Sequence, residues 1–292
     1  MMNSFFKVAL YSSAIISMTA WLAALGLQNL LFFPLNTKEY ASLSSYSGIM
    51  FHPLNFGTQM LLGFISGIVI KPRRTSLLYY FAMAACLVGL YLSDARGAFV
   101  ALVIFALLYL SPPKYFMKLK ILFLIIPIIL CGLFFVGSWL IEKSEFLYSF
   151  LRIEAADNSR FMLWAFAYEL IKKEPLIGYG FKSSSDLILG SDLPIAHMLD
   201  PGVPFHNNYI DVAVESGIIA MVLYLLVFVI PVIRAFKSLR IYPENKVFFA
   251  AAMAIFVNTL TVDYNIGGIR VSSFMVTVFL GVANLLNDKR SV

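Results

Sequence analysis

Long runs of apolar residues, separated by short polar segments, make up most of this 292-residue chain. A helix needs about 20 consecutive apolar residues to cross the hydrocarbon core of a bilayer, and runs of that kind are typical of membrane spans. We predict eight spans, at approximately residues 5–33, 55–70, 76–92, 97–111, 120–140, 208–233, 246–262 and 270–286. The pattern therefore predicts an all-α polytopic membrane protein.

A long polar segment, residues 141–207, lies between the fifth and sixth predicted spans. Loops of more than about 12–15 residues usually have a function or a structure of their own. The Asp-Asn-Ser sequence at 157–159 can cap a helix over 160–173, and Pro175 and the glycines of 178–180 end it. Apolar residues nearly encircle this helix, so we expect it to pack on the bundle or to lie at the membrane surface. After the helix we predict irregular loop.

These elements divide the chain into three parts of one functional unit. Residues 1–140 form an N-terminal transmembrane bundle of five spans, and residues 208–292 form a C-terminal bundle of three. Between them, residues 141–207 form one large loop outside the cytoplasm that contains short helices.

The composition excludes several classes of protein. Hydrophobic residues make up 60% of the chain and charged residues only 13%, whereas soluble proteins carry about 25% charged residues. A soluble enzyme, a disulfide scaffold and a disordered tail are therefore excluded. Cys86 and Cys131 both lie in apolar runs, where we expect buried hydrophobic side chains. The net charge of +6 belongs to loops between spans, so we expect a lipid bilayer and no nucleic acid as partner.

The distribution of basic residues predicts the orientation of the spans. Cytoplasmic loops of membrane proteins are enriched in Lys and Arg. One set of alternating connections, together with Lys7, holds 13 of the 22 basic residues and 2 of the 16 acidic ones. This asymmetry places both termini in the cytoplasm and the segment 141–207 outside it.

The first span has an alternative interpretation as a cleaved signal peptide. Small residues at Ala23, Ala24 and Gly26 would suit a cleavage site. The apolar stretch continues to Phe33, however, which is longer than the apolar region of a typical signal peptide. We therefore favour a retained span, and both interpretations leave the orientation of the later spans unchanged.

Two arginines on the predicted outer face are candidates for binding an anion, since a guanidinium matches a phosphate in a bidentate way. Arg96 follows a very tight turn between two spans, where it could instead snorkel and pair with Asp94. Arg160 begins the external helix, with Trp164 one turn further on. It could pair with nearby acidic residues, but a cation in the first turn of a helix opposes the helix dipole.

His206 is the candidate general base, because histidine is the side chain best suited to take a proton near neutral pH. It ends the external segment where the sixth span begins. A structural alternative explains its neighbours: in it, Asn208 caps the span and Asp211, at the third helical position, completes an analogue of a capping box. Glu215, four residues after Asp211, could orient a base or point to the outer interface.

Other chemistries lack their sequence signals. The three histidines, His52, His197 and His206, do not have the spacing of metal ligands, so we predict no metal site. The chain has no phosphate-binding P-loop and no serine nucleophile elbow. The external acidic residues form no Asp-x-Asp pair of the kind found in cation-dependent glycosyltransferases.

The ordered set of these residues resembles the O-antigen ligase and O-antigen polymerase superfamily of bacterial envelope proteins. His206 and Asn207, followed after nine residues by Gly217, are similar to the His-Asn/Ser/Gln-x9-Gly pattern at the end of the family's large periplasmic loop. The Arg96-Gly97 pair resembles the family's upstream arginine, and Arg160 resembles its loop arginine. The resemblance covers residues from about 50 to 285.

The resemblance implies an inverting, metal-independent glycosyltransferase of the bacterial inner membrane with its active face in the periplasm. Its donor would be a glycan linked to undecaprenyl diphosphate, and its acceptor the lipid A–core in a ligase. His206 would be the catalytic base, and Arg96 and Arg160 would bind the diphosphate. Asn207, Asp211, Glu215 and Gly217 would support the site. No cofactor is implied.

Several functional alternatives stay open at this point. An O-antigen polymerase or a protein O-oligosaccharyltransferase of the same family would use the same residues on another acceptor. A transporter for an envelope lipid or glycan would need ionisable groups within the spans, and the predicted spans hold almost none. Family members typically have more spans than the eight predicted here, so an inactive short paralogue is the remaining alternative.

Overall fold

The computed structural model describes residues 2–27, 36–40, 43–50, 53–70, 76–112, 158–193, 204–239, 241–260 and 271–285. These residues are mostly helical, as predicted. The elements in chain order are α1 Met2–Ala24, β1 Asn36–Tyr40, β2 Leu43–Gly48, α2 Pro53–Ile70, α3 Leu77–Leu92, α4 Arg96–Leu110, α5 Asn158–Lys173, α6 Ser183–Leu189, α7 Asn208–Ser238, a 3-10 turn Pro243–Asn245, α8 Lys246–Asn258 and α9 Val271–Leu285.

Seven of the eight predicted spans coincide with helices of the described residues, and the fifth, 120–140, lies outside them. Two helical stretches in the described part, Asn3–Ala24 and Asn208–Ser238, are both long and apolar enough to cross a membrane. The apolar helices at α2, α3, α4 and α9 are shorter than that threshold. The helical class is therefore confirmed, while the number of spans stays a prediction.

The first helix is shorter than the predicted span of 5–33. The amide of Leu27 donates to the carbonyl of Leu22 (2.8 Å) and that of Gly26 to Ala23 (3.0 Å), with Gly26 at a φ of 71°. This pair of bonds is the Schellman arrangement, in which a left-handed glycine ends a helix. The sequence pattern did not predict this helix end, because the apolar run continues past it and hydrophobicity alone does not indicate a cap.

A two-stranded antiparallel hairpin follows, which the sequence pattern did not predict. Its register runs from Asn36 opposite Gly48 to Tyr40 opposite Leu43. Gly48 lies against α1 so closely that a Cβ would overlap Thr19, whose hydroxyl accepts the amide of Ile49 at 3.2 Å. A small β element thus accompanies the predicted all-α fold.

The chain forms two compact units, Met1–Ser111 with Ile230–Val292, and Pro112–Val229. In the first unit α1, α2 and α3 pack on one another, and α4 packs on α8. Small residues permit this close approach: a Cβ on Gly63 would overlap Ser13, and one on Gly89 would overlap Ser17. Close packing through small residues is how membrane helices gain van der Waals contact.

Neutral polar side chains link the helices of this first unit. The Gln59 amide Nε2 donates to the Ser13 hydroxyl at 2.9 Å, and the Asn258 amide Nδ2 donates to the Thr58 hydroxyl at 3.0 Å. All four side chains are buried. Hydrogen bonds between neutral side chains hold helices together in an apolar setting without the cost of burying a charge.

We expect Gly63→Val to destabilise the protein more than Gly281→Val does. Both glycines are helical, but a Cβ at position 63 would overlap Ser13 whereas one at position 281 meets nothing within 4 Å. Overpacking of this kind costs about 1–3 kcal/mol. The thermal unfolding midpoint in detergent should fall for Gly63→Val relative to Gly281→Val, and equal midpoints would contradict the packing described here.

Candidate functional site

The second unit has a small hydrophobic core of its own. Leu163, Ala167 and Leu170 form one stripe of α5, and they pack with Ile188 of α6 and with Phe205 and Val214. The predicted helix over 160–173 is confirmed as α5, and the stripe shows which of its apolar positions are buried. On its exposed side, Lys172 donates to Glu169 at 2.8 Å, a hydrogen bond that raises the pKa of the lysine.

Part of the stretch predicted to be irregular loop is the helix α6, so that prediction was wrong there. Ser184 and Ile188, four residues apart, are its buried positions. A helix of seven residues with three consecutive serines has almost no apolar periodicity in its sequence. It forms because its one buried face packs on α5 and α7, a tertiary effect that overrides local propensity.

The backbone just before His206 is held from two sides. The Trp164 indole Nε1 donates to the carbonyl of Phe205 at 2.6 Å, and the amide of Phe205 donates to the Asp211 carboxylate at 2.8 Å. The Phe205 side chain is fully buried. Since both backbone polar groups of Phe205 are bound by side chains of two different helices, the chain enters His206 along a fixed path.

His206 itself has a backbone φ of 58°, in the left-handed region, and its side chain is half-buried. A non-glycine residue in that region costs about 1–3 kcal/mol and persists only where the surroundings enforce it. The anchored Phe205 on one side and Asn207 on the other provide that enforcement. Such strain is characteristic of functional positions.

Asn207, and not Asn208 as predicted, is the cap of α7. The Asn207 Oδ1 accepts the amides of Tyr209 (3.0 Å) and Ile210 (3.3 Å), and its carbonyl accepts the amide of Asp211 (2.9 Å). A residue whose carbonyl takes the first intrahelical bond and whose side chain takes the next free amides is by definition the N-cap. Asn208 is the buried first residue of the helix.

The helix α7 is broken at Gly217, which has φ 85° and ψ 170°. A Cβ at this position would overlap the carbonyl of Leu176, so only glycine fits. The amide of Ile218 donates to the carbonyl of Pro175 at 2.8 Å, outside the helix. The predicted span 208–233 is therefore two helical stretches, and residues 218–238 alone, at about 1.5 Å per residue, reach about 30 Å.

The segment after α5 is paired with the residues before this break. The amides of Tyr179 and Gly180 donate to the carbonyls of Val214 and Glu215, each at 2.9 Å. The Glu215 carboxylate accepts a hydrogen bond from the Ser184 hydroxyl of α6 at 2.8 Å. Glu215 thus ties α6 to the first part of α7, a role that sequence reasoning did not assign.

The two candidate arginines lie in different units. Arg160 is in the first turn of α5, one helical turn before Trp164, and so belongs to the unit that holds His206. Arg96 is the exposed first residue of α4 in the other unit. The turn before it is held by Ser93, whose hydroxyl donates to the carbonyl of Leu90 (2.6 Å) and accepts the amide of Ala95 (3.2 Å).

Sequence reasoning missed the hydrogen bond from Trp164 to Phe205. It also expected Asp211 to complete the cap of α7, whereas the Asp211 carboxylate accepts the amide of Phe205. The one available signal was the position of Trp164, a residue with a single donor, one turn after a candidate site residue. Within the described ranges, no three His, Cys, Asp or Glu side chains lie together as a metal site would need. The polar side chains of residues 204–217 are one imidazole, two carboxylates, the amides of Asn207 and Asn208, and the hydroxyls of Tyr209 and Ser216.

Comparison with known proteins gives a consistent result. Residues 81–225 match the family described as O-antigen ligase. The chain is 29% identical over 203 residues to a provisionally named polysaccharide ligase of Rickettsia conorii, covering 67% of this chain and 47% of the relative. It is 27% identical over 203 residues to a protein of Rickettsia felis with the same provisional name of polysaccharide ligase, covering 67% of this chain and 48% of the relative. The chain thus spans about half the length of these curated relatives.

We expect Gly217→Ala to destabilise the protein more than Gly180→Ala. Both glycines have a positive φ, so both substitutions carry the left-handed cost of about 1–2 kcal/mol. Only at position 217 would the added Cβ also overlap a neighbouring carbonyl. The thermal midpoint in detergent should fall further for Gly217→Ala, and two equal midpoints would show that the break in α7 is not sterically required.

Proposed function

Since the chain belongs to the O-antigen ligase family, we propose that it is an inverting, metal-independent glycosyltransferase of the bacterial inner membrane. It moves a glycan from undecaprenyl diphosphate to an acceptor at the periplasmic face, and lipid A–core is the acceptor that we favour. The observation that carries this proposal is His206, a candidate base held in a strained backbone between two anchored residues.

The proposed reaction assigns one role to each site residue. His206 accepts the proton of the acceptor hydroxyl as that oxygen attacks the anomeric carbon of the donor. The bond from the anomeric carbon to the diphosphate oxygen breaks, its electron pair leaves with the diphosphate, and the anomeric configuration inverts. Arg96 and Arg160 stabilise the charge that develops on the leaving diphosphate.

The supporting residues have roles that the hydrogen bonds suggest. Asn207 caps the helix directly after the base, and Asp211 binds the amide of Phe205 directly before it. Glu215 and Gly217 hold α6 and the post-α5 segment against α7. A catalytic group must be positioned within about 0.5 Å to work well, and such positioning comes from its neighbours.

A transporter is the alternative from a different class, and the described helices do not favour it. The buried polar side chains that link helices in the first unit are Ser, Thr, Gln and Asn, all of them neutral. A path for a charged lipid or a coupling ion would need ionisable groups near the middle of the spans. Polymerase and protein-glycosylating members of the family use a different acceptor from a ligase. An experiment that identifies the products separates these alternatives.

We expect His206→Ala to lower transfer by about 10²–10⁴-fold, the usual contribution of a general base. Arg96→Ala and Arg160→Ala should each lower it as well, because an unpaired charge on the leaving diphosphate raises the barrier. The measurement is the lipopolysaccharide profile of a deletion strain complemented with each variant, alongside the amount of glycan on the carrier. Lys172→Ala, an exposed cation of α5 that pairs with Glu169 and has no assigned role in the site, is the matched control.

The products decide between the family's activities. Loss of the whole polymeric ladder, with long glycan accumulating on the carrier, identifies a ligase. A core that bears a single repeat identifies a polymerase. Full activity in all three variants, at normal abundance in the membrane, would refute the catalytic assignment.

The anchoring of Phe205 predicts a graded effect at Asp211. Asp211→Asn keeps an oxygen that can accept the Phe205 amide, whereas Asp211→Ala removes it. We expect Asp211→Ala to lower the rate constant about tenfold or more, corresponding to about 1.4 kcal/mol in the barrier, and Asp211→Asn to retain most of it. Trp164→Phe, which removes the N–H donor to Phe205 together with part of the ring volume, should resemble Asp211→Ala. These effects should appear in kcat more than in KM, and equal activity of Asp211→Asn and Asp211→Ala would contradict the anchoring role.

A further inference from the structure

An exposed apolar surface lies between α5 and α6, in a part of the chain where polar residues would be expected. Leu176, Ile177 and Phe181 are 65%, 80% and 81% exposed. We call these three residues the apolar tip. Single exposed apolar side chains are ordinary, but three of this size within six positions form a patch of the kind that contacts a partner or a membrane.

The apolar tip is fastened to the start of the apolar part of α7. The carbonyl of Pro175 accepts the amide of Ile218 at 2.8 Å, and the carbonyl of Leu176 lies where a Cβ of Gly217 would stand. Ile218 and Ile219, at the start of that helical stretch, are themselves 39% and 60% exposed. Exposed apolar surface therefore continues from the tip onto α7, whose stretch Asn208–Ser238 is long and apolar enough to cross a membrane.

Lysines flank the apolar tip on both sides along the chain. Lys173 precedes it and Lys182 follows it, and both are exposed. The Lys182 ammonium lies 5.7 Å from the ring centre of Phe181, so its stem follows the apolar surface. Apolar side chains flanked by lysines are typical of segments in the interfacial region of a bilayer, where the ammonium groups meet lipid phosphates.

We propose that the apolar tip inserts into the interfacial region of the bilayer beside the span that begins at Ile218. The occupant of this surface is the lipid bilayer: acyl chains cover the three apolar side chains, and anionic headgroups pair with Lys173 and Lys182. This contact fixes the C-terminal end of α5 at the membrane, and α5 carries the Trp164 that anchors Phe205. The bilayer thereby sets the height of His206 above the membrane.

The proposal rests on the membrane setting of the proposed function but not on the chemistry of His206. Its test is the environment of a nitroxide spin label attached at Ile177→Cys, in a chain whose own cysteines are replaced by Cys86→Ala and Cys131→Ala. The full chain is reconstituted in vesicles of phosphatidylethanolamine and phosphatidylglycerol. Glu174→Cys, exposed and three residues away, is the matched control, and Ile219→Cys is the reference for a lipid-facing position.

We expect oxygen, relative to a water-soluble nickel complex, to reach the label at position 177 several-fold more effectively than the label at 174. The value at 177 should approach that at 219. Equal values at 177 and 174 would overturn the proposal, because the tip would then lie in water. An immobilised label that neither reagent reaches would also overturn it, because protein would then cover the tip.

The lysine part of the proposal has its own measurement. Replacing phosphatidylglycerol with phosphatidylcholine should lower the ratio of oxygen accessibility to nickel accessibility at position 177. The double variant Lys173→Gln with Lys182→Gln should abolish that dependence on lipid charge. A ratio that is the same in both lipids would refute headgroup pairing. None of these measurements requires turnover, so repeating them in a His206→Ala chain separates the failure of this proposal from the failure of the proposed function.

Discussion

The position of His206 depends on the two hydrogen bonds of Phe205. Its carbonyl binds the indole of α5 and its amide binds a carboxylate of α7, so neither backbone group is left to water. A buried backbone group that loses its partner costs about 1–3 kcal/mol. Displacing the amide and carbonyl of Phe205 from their partners would therefore destabilise the protein. The left-handed turn at the next residue follows from that constraint and from the cap at Asn207.

The small hydrophobic core around α5 determines where the neighbouring polar side chains lie. Leu163, Ala167 and Leu170 set the face of α5 that meets α6 and α7, and this face determines where Trp164 reaches. Glu215 then adds a polar tie to Ser184 at the other end of the core. Among the candidates that the sequence suggested, Asn207 and Asp211 thus hold the backbone on either side of His206, and Glu215 ties α6 to α7.

Helix positions were predictable where a run of apolar residues decides them, as at α3 and α4, because burial or lipid contact is a property of the whole run. Local backbone events were not predictable in that way. The glycine stop after α1 and the break at Gly217 depend on hydrogen bonds between segments, and α6 depends on packing by neighbours. The order and spacing of His206, Asn207 and Gly217 indicated the site, but not that Asn207 is the cap or that Trp164 is an anchor.

Gly217 explains how two parts of α7 can have different surroundings. An unbroken α7 would carry the residues from 208 onward in one continuous helix, with its amide donors used internally. The break frees the Ile218 amide to bind the carbonyl of Pro175. It also lets the segment after α5 approach α7, so that the carbonyl of Leu176 lies against Gly217. The residues before the break then belong to the core around Phe205, while those after it form the apolar helix. One glycine therefore separates the polar groups around His206 from the exposed apolar residues that follow it, and both depend on the same backbone conformation.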